Sequence, residues 1–201
     1  MTRNTFILGA GLLLALFGVP GPLEGQDDTF EWQGQIPQGE TIELRGISGD
    51  ITAVLATGSQ VEVLATKRGR RSDFGEVDIE VVDEGDRIVD CAVYGSRNHD
   101  RGTCDHREWE DDERERRWGD DGLNVRVDFE VRVPAGVRFE GTTVSGDVEA
   151  TDLHSEVSAT TVSGDVRVST SEVAWATTVN GYLDVEMGSD DWEKLEFSTV
   201  R

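Results

Sequence analysis

Thr143-Val-Ser-Gly-Asp-Val148 recurs eighteen residues later as Thr161-Val-Ser-Gly-Asp-Val166, and seventeen after that as Thr178-Val-Asn-Gly-Tyr-Leu183. A further start, Ser198-Thr-Val200, follows, and an earlier relative, Ile47-Ser-Gly-Asp-Ile51, precedes them. Short, fixed periods in a β-rich chain indicate stacked units, none of which can bury its apolar side alone. The reading is therefore all-β: a single-domain β-solenoid or β-helix-like stack of 17–21-residue, two-strand rungs, preceded by antiparallel strands and a charged insert.

Strands alternate their side chains with period two, so residue parity predicts facing. Taken straight through the motif, parity puts Val144, Val148, Val162, Val166, Val179, Leu183 and Val185 in one stacked core. A second inward set, Phe139-Gly141, Val157-Ala159, Ala174-Ala176 and Leu195-Phe197, stands upstream of each motif. In-register stacking then makes outward tracks: Ser145, Ser163, Asn180; Asp147, Asp165, Tyr182; and Glu149, Arg167, Asp184. The third track alternates in sign, as suits cross-strand neighbours. The second sets two aspartates side by side, either splayed into water and capping backbone N–H groups or neutralised by a cation.

Upstream, Val61-Val63, Val77-Ile79-Val81, Val89-Cys91-Val93 and Val125 to Val133 also alternate, the last run ending at Pro134-Ala-Gly136. Between them, residues 105–122 carry nine acidic and four arginine residues, with Glu110/Arg114, Asp112/Arg116 and Glu113/Arg117 at i, i+4. That segment reads as a solvated insert with capacity for a short exposed helix.

Arg3, an apolar run from Phe6 to Phe17 and a switch to Gln26-Asp27-Asp28 read as a secretory signal peptide over residues 1–25. Twelve apolar residues are too few for a membrane span, and no transmembrane segment is expected in the mature chain. Residues 26–40 read as an N-terminal linker and 41–201 as the repetitive domain, whose last rung stops before its glycine. In an exported chain the two cysteines, Cys91 and Cys104, are expected to form a disulfide. With His99 and His106 they match no zinc spacing, so neither metal nor cofactor is expected. The net charge of −22, from 41 acidic and 19 basic residues, disfavours nucleic acid and anionic lipid as partners.

The signal peptide, the strand closing in Val133-Pro-Ala-Gly136 and the serial Val-Ser-Gly-Asp-Val rungs together resemble the bacterial "putative adhesin" family, a domain of unknown function. The resemblance covers roughly residues 41–201 and implies a repetitive β domain at the periplasm or cell surface. It brings no catalytic or ligand residue with it. The expected function is an exported, non-enzymatic binding module whose ladder face meets a glycan, a surface or a protein. One alternative is a carbohydrate-active enzyme using Asp147 and Asp165, which neighbouring strands would hold near the spacing of a retaining pair. Another is a scaffold associating through its open strand edges. Asp147 and Asp165 are also the candidate cation ligands, expected to bind weakly because two carboxylates fall far short of a calcium shell.

Overall fold

The computed structural model describes residues 28–95, 104, 124–188 and 197–199. The expected signal peptide, the charged insert of residues 105–122 with its i, i+4 pairs, and Leu195 lie outside the described residues. The fold is all-β, built of two open, seven-stranded mixed sheets. The first runs β1 (Thr29–Gly34), β4 (Val61–Gly69), β7 (Val125–Val133), β3 (Ile51–Leu55), β9 (Val148–Leu153), β11 (Val166–Thr170), β13 (Leu183–Met187). The second runs β14 (Phe197–Thr199), β12 (Ala174–Asn180), β10 (Val157–Ser163), β8 (Arg138–Ser145), β2 (Thr41–Arg45), β6 (Arg87–Tyr94), β5 (Val77–Asp83).

The repeat dictates this arrangement. Each period supplies one strand to each sheet, joined at the Ser-Gly-Asp corner. Successive periods pair in parallel with Val157 opposite both Phe139 and Ala174, and with Val166 opposite both Val148 and Leu183. The corner at Ile47-Ser-Gly-Asp-Ile51 makes β2 and β3 another such unit, parallel to β8 and β9. Strands β6 and β7 extend the stack, parallel to β2 and β3. The antiparallel pairing expected ahead of the repeats is confined to β5 on one sheet and β4 with β1 on the other. Residues 29–34, read as linker, instead form β1, because Phe30 and Trp32 alternate toward the core. In the chain the charged insert falls between β6 and β7, where the other units carry their Ser-Gly-Asp motif between their two strands.

Between the sheets lies one core, to which Ile42, Leu44, Phe139, Val157 and Ala159 contribute from the second sheet and Ile51, Phe129, Val148, Val166 and Val168 from the first. The upstream inward set is borne out at Phe139, Gly141, Val157, Ala159, Ala174 and Ala176, all buried. The motif valines divide. Val148 and Val166 are buried, and Leu183 and Val185 pack partly against the core, but Val144 and Val162 are 45% and 41% exposed. Val179 is only partly buried. The corner resets the alternation, so parity counted through it fails. The inward residues ahead of the corner are Thr143, Thr161 and Thr178, all buried.

Cys91 and Cys104 form a disulfide with their Cα atoms 6.0 Å apart, packed with Val93. A loop of this length contributes about 3 kcal/mol in the chain-entropy description. The Arg45 guanidinium donates to the Cys104 carbonyl at 2.9 Å and also pairs with buried Glu43, which Arg87 contacts at 2.7 Å. Burial acts to raise the Glu43 pKa, but the two guanidiniums outweigh it and hold the carboxyl below its ordinary value.

Candidate functional site

Within each motif the structure separates residues that build the stack from residues that do not. The inward threonine hydroxyl donates to the glycine carbonyl one unit back: Thr143 to Gly49 at 3.2 Å, Thr161 to Gly146 at 2.9 Å, Thr178 to Gly164 at 2.8 Å. The glycine has backbone directly against it. A Cβ on Gly164 would lie 2.0 Å from the Gly146 carbonyl oxygen, and one on Gly181 would lie 1.9 Å from that of Gly164.

The aspartate accepts the amide of its counterpart one unit on. Asp147 N–H donates to Asp50 Oδ1 at 3.0 Å, Asp165 N–H to Asp147 Oδ1 at 2.8 Å, and Tyr182 N–H to Asp165 Oδ1 at 2.9 Å. Asp128 on β7 does the same for the Asp50 amide at 3.2 Å. Asp147 and Asp165 therefore stand adjacent and exposed, as the sequence implies, with one oxygen of each committed to backbone capping. No group of three or more potential metal-ligating side chains occurs among the described residues.

The outward residues differ sharply between the sheets. On the first sheet one row runs Glu130, Thr52, Glu149, Arg167, Asp184. Arg167 lies 3.8 Å from Glu149 and 3.4 Å from Asp184, which bears out the alternating-sign track. On the second sheet β8, β10 and β12 present Thr142, Thr160 and Thr177 in register. Val144, Val162 and Val179 stand beside that row toward the corner, and Ser158 and Trp175 stand on the other side. Ser145, Ser163 and Asn180 close the corner edge in register, as expected. The Thr, Val, Ser, Trp and Asn side chains of this strip are uncharged, whereas 30% of the whole chain is charged; at its β8 edge the charged Glu140 stands in register with Ser158. Glu140 ion-pairs with Arg87 of β6, and beyond β8 the Thr142 row meets the ion-paired Arg45 of β2.

No hydrogen bond among the described residues engages the hydroxyls of Thr142, Thr160 or Thr177. The doubled threonines at 142–143, 160–161 and 177–178 thus have separate tasks: the second of each pair holds the stack and the first faces out. The doubling itself was the sequence signal for this strip, which parity reasoning overlooked.

A groove of about 430 Å³ lined by Ile47, Ser48, Arg68, Tyr94, Asn124 and Arg126 offers no free cation, since Arg68 and Arg126 both reach Asp128, at 2.5 and 3.4 Å. Tyr94 donates its hydroxyl to the Ser48 carbonyl at 3.2 Å, and burial is the main cause that pushes its pKa up to about 12.

No family model and no curated protein matches the chain. Among solved structures it is similar to a "putative adhesin" from Bacteroides fragilis, at 9% identity and a TM-score of 0.39 over 86% of this chain and 77% of that one. It is also similar to a "putative cell adhesion protein" from Clostridium sporogenes, at 6% identity and a TM-score of 0.32 over 85% of this chain and 98% of that one. Likenesses this distant bear on neither ligand nor mechanism.

Proposed function

We propose that the chain is an exported, non-enzymatic binding module: a β-solenoid whose working surface is the uncharged outer strip of the second sheet. The observation that carries this reading is the three-fold repetition of outward Thr and Val, uncharged and without hydrogen-bond partners among the described residues, in a protein of net charge −22. Export is supported by the leader-like residues 1–25 and by the Cys91–Cys104 disulfide, a bond that persists in oxidising compartments. The capping role of Asp147 and Asp165 supports a structural rather than a catalytic assignment for that pair.

Retention of the purified protein on three immobilised surfaces tests this: an insoluble neutral glucan, fibronectin-coated plastic and anionic lipid vesicles. Retention on one of them is expected to fall at least tenfold with Val162→Glu and to survive Glu149→Gln on the opposite sheet. Retention indifferent to Val162→Glu would contradict the assignment of the surface.

A further inference from the structure

We infer that the ligand of this strip is a neutral, linear polysaccharide lying across the strands along the Thr142–Thr160–Thr177 row. This inference rests on the surface assignment above and adds the ligand class.

Three features of the strip select the class. The first is period. Adjacent strands repeat at about 4.8 Å, and β8, β10 and β12 place a threonine, Thr142, Thr160 and Thr177, at each repeat. A partner that meets the three equivalent threonines in the same way is itself periodic at a similar spacing, as a chain of sugar residues is and an irregular protein surface is not. The second is chemistry. Each row position offers a threonine hydroxyl, which both donates and accepts, beside apolar methyl groups from Thr and Val. Sugars present the same alternation of hydroxyls and C–H surface. Trp175 sits in register with Ser158 at the third strand, partly exposed, and offers a rigid aromatic face for a sugar ring to cover.

The third is charge. The chain's net negative field repels polyanions, and the uncharged side chains of the strip's Thr and Val rows offer a cationic partner no ion pair. Charge complementarity leaves a neutral partner. The same field opposes two copies of the chain meeting face to face through this strip.

The test uses the full chain, with pull-down on cellulose, chitin and insoluble mannan, alginate as the anionic comparison, and calorimetric titration with soluble oligosaccharides of increasing length from whichever neutral polymer retains it. Retention is expected on at least one neutral polymer and absent on alginate, with affinity rising until the oligosaccharide spans three strands. The triple variant Thr142→Val, Thr160→Val, Thr177→Val, which keeps side-chain volume, is expected to weaken binding at least tenfold with an unchanged circular dichroism spectrum. Val162→Glu is expected to do the same independently.

Two results would overturn the inference while leaving the surface assignment intact. One is Val162→Glu-sensitive retention on the fibronectin-coated surface but on no neutral polysaccharide. The other is a dimer in sedimentation velocity that Val162→Glu dissociates. Polysaccharide retention unaffected by either variant would overturn both.

Discussion

Gly49→Ala is expected to cost about 3 to 5 kcal/mol of unfolding free energy, at the upper end of single-residue effects. Gly49 has φ +125°, a backbone conformation that L side chains rarely adopt, and a Cβ there would lie 2.0 Å from the Val127 carbonyl oxygen. That oxygen cannot retreat, because the Val127 amide is fixed by its bond to the Ser48 carbonyl at 2.8 Å and the Phe129 amide by its bond to the Asp50 carbonyl at 2.8 Å, just ahead of the parallel β3–β7 ladder. The clash is therefore with main chain rather than with a side chain that could rotate away. The matching control is Gly58→Ala, where a Cβ would meet nothing within 4 Å. That change is expected to stay within about 0.5 kcal/mol. Urea unfolding of both variants, followed by far-ultraviolet circular dichroism, makes the comparison. Equal midpoints would contradict the close backbone approach at each corner.

Stability should also carry the signature of one carboxyl buried in the core. Asp90 on β6 is fully buried, in register with Leu44 and Val81 on the flanking strands, with Ile88 and Ala92 beside it on the same strand face. Neither of its carboxyl oxygens has a hydrogen-bond partner among the described residues. Burial pushes its pKa up from 3.8 to about 7. A folded-state pKa above the unfolded value means that the native state holds the proton more tightly. The stabilisation is thus fully present below about pH 4 and is lost as pH rises to about 7, amounting to about 4 kcal/mol on the scale of 1.36 kcal/mol per pH unit.

Other carboxylates, Glu43 among them, have the opposite dependence, so the informative quantity is a difference. The stability of Asp90→Asn relative to the unsubstituted protein is expected to rise by about 4 kcal/mol between pH 4 and pH 8 and to level off above pH 7. Parallel stability curves for the two proteins would show that Asp90 is solvated or partnered. Nothing among the described residues explains why an aspartate occupies this position.

The contrast between what the sequence announced and what it concealed follows from how far each signal reaches. Register was legible because the motif is its own ruler: offsets of eighteen and seventeen residues reappear as the pairing of Phe139 with Val157 and of Val157 with Ala174. The capping role of Asp147 and Asp165 was legible because Gly-Asp is local turn chemistry. Facing within the motif was not. Alternation is a property of a continuous strand, and the Ser-Gly-Asp corner interrupts it, which turned Val144 and Val162 outward and brought Thr143, Thr161 and Thr178 in.

Asp90 was hidden for a related reason. Val89-Cys91-Val93 reads as the single buried face of a two-faced strand. In fact the disulfide partner Cys104 covers that side, while Ile88, Asp90 and Ala92 line the side toward the main core. Placing β6 beside β2 requires a long-range pairing that no periodicity encodes.

Adjacent threonines divide the labour on β8, β10 and β12, and one comparison tests this with the same chemical change made on opposite sides of the same three strands. Two triple variants are unfolded in urea: Thr143→Val, Thr161→Val, Thr178→Val and its neighbour Thr142→Val, Thr160→Val, Thr177→Val. The inward triple removes the three hydroxyls that donate to Gly49, Gly146 and Gly164. At about 1 kcal/mol for each lost hydrogen bond, more where the carbonyl is left unsatisfied, it is expected to lose at least about 3 kcal/mol. The outward triple is expected to stay within about 0.5 kcal/mol, because β-branched Val suits an exposed strand position as well as Thr does. Equal losses in the two triples, or a greater loss in the outward one, would contradict the account.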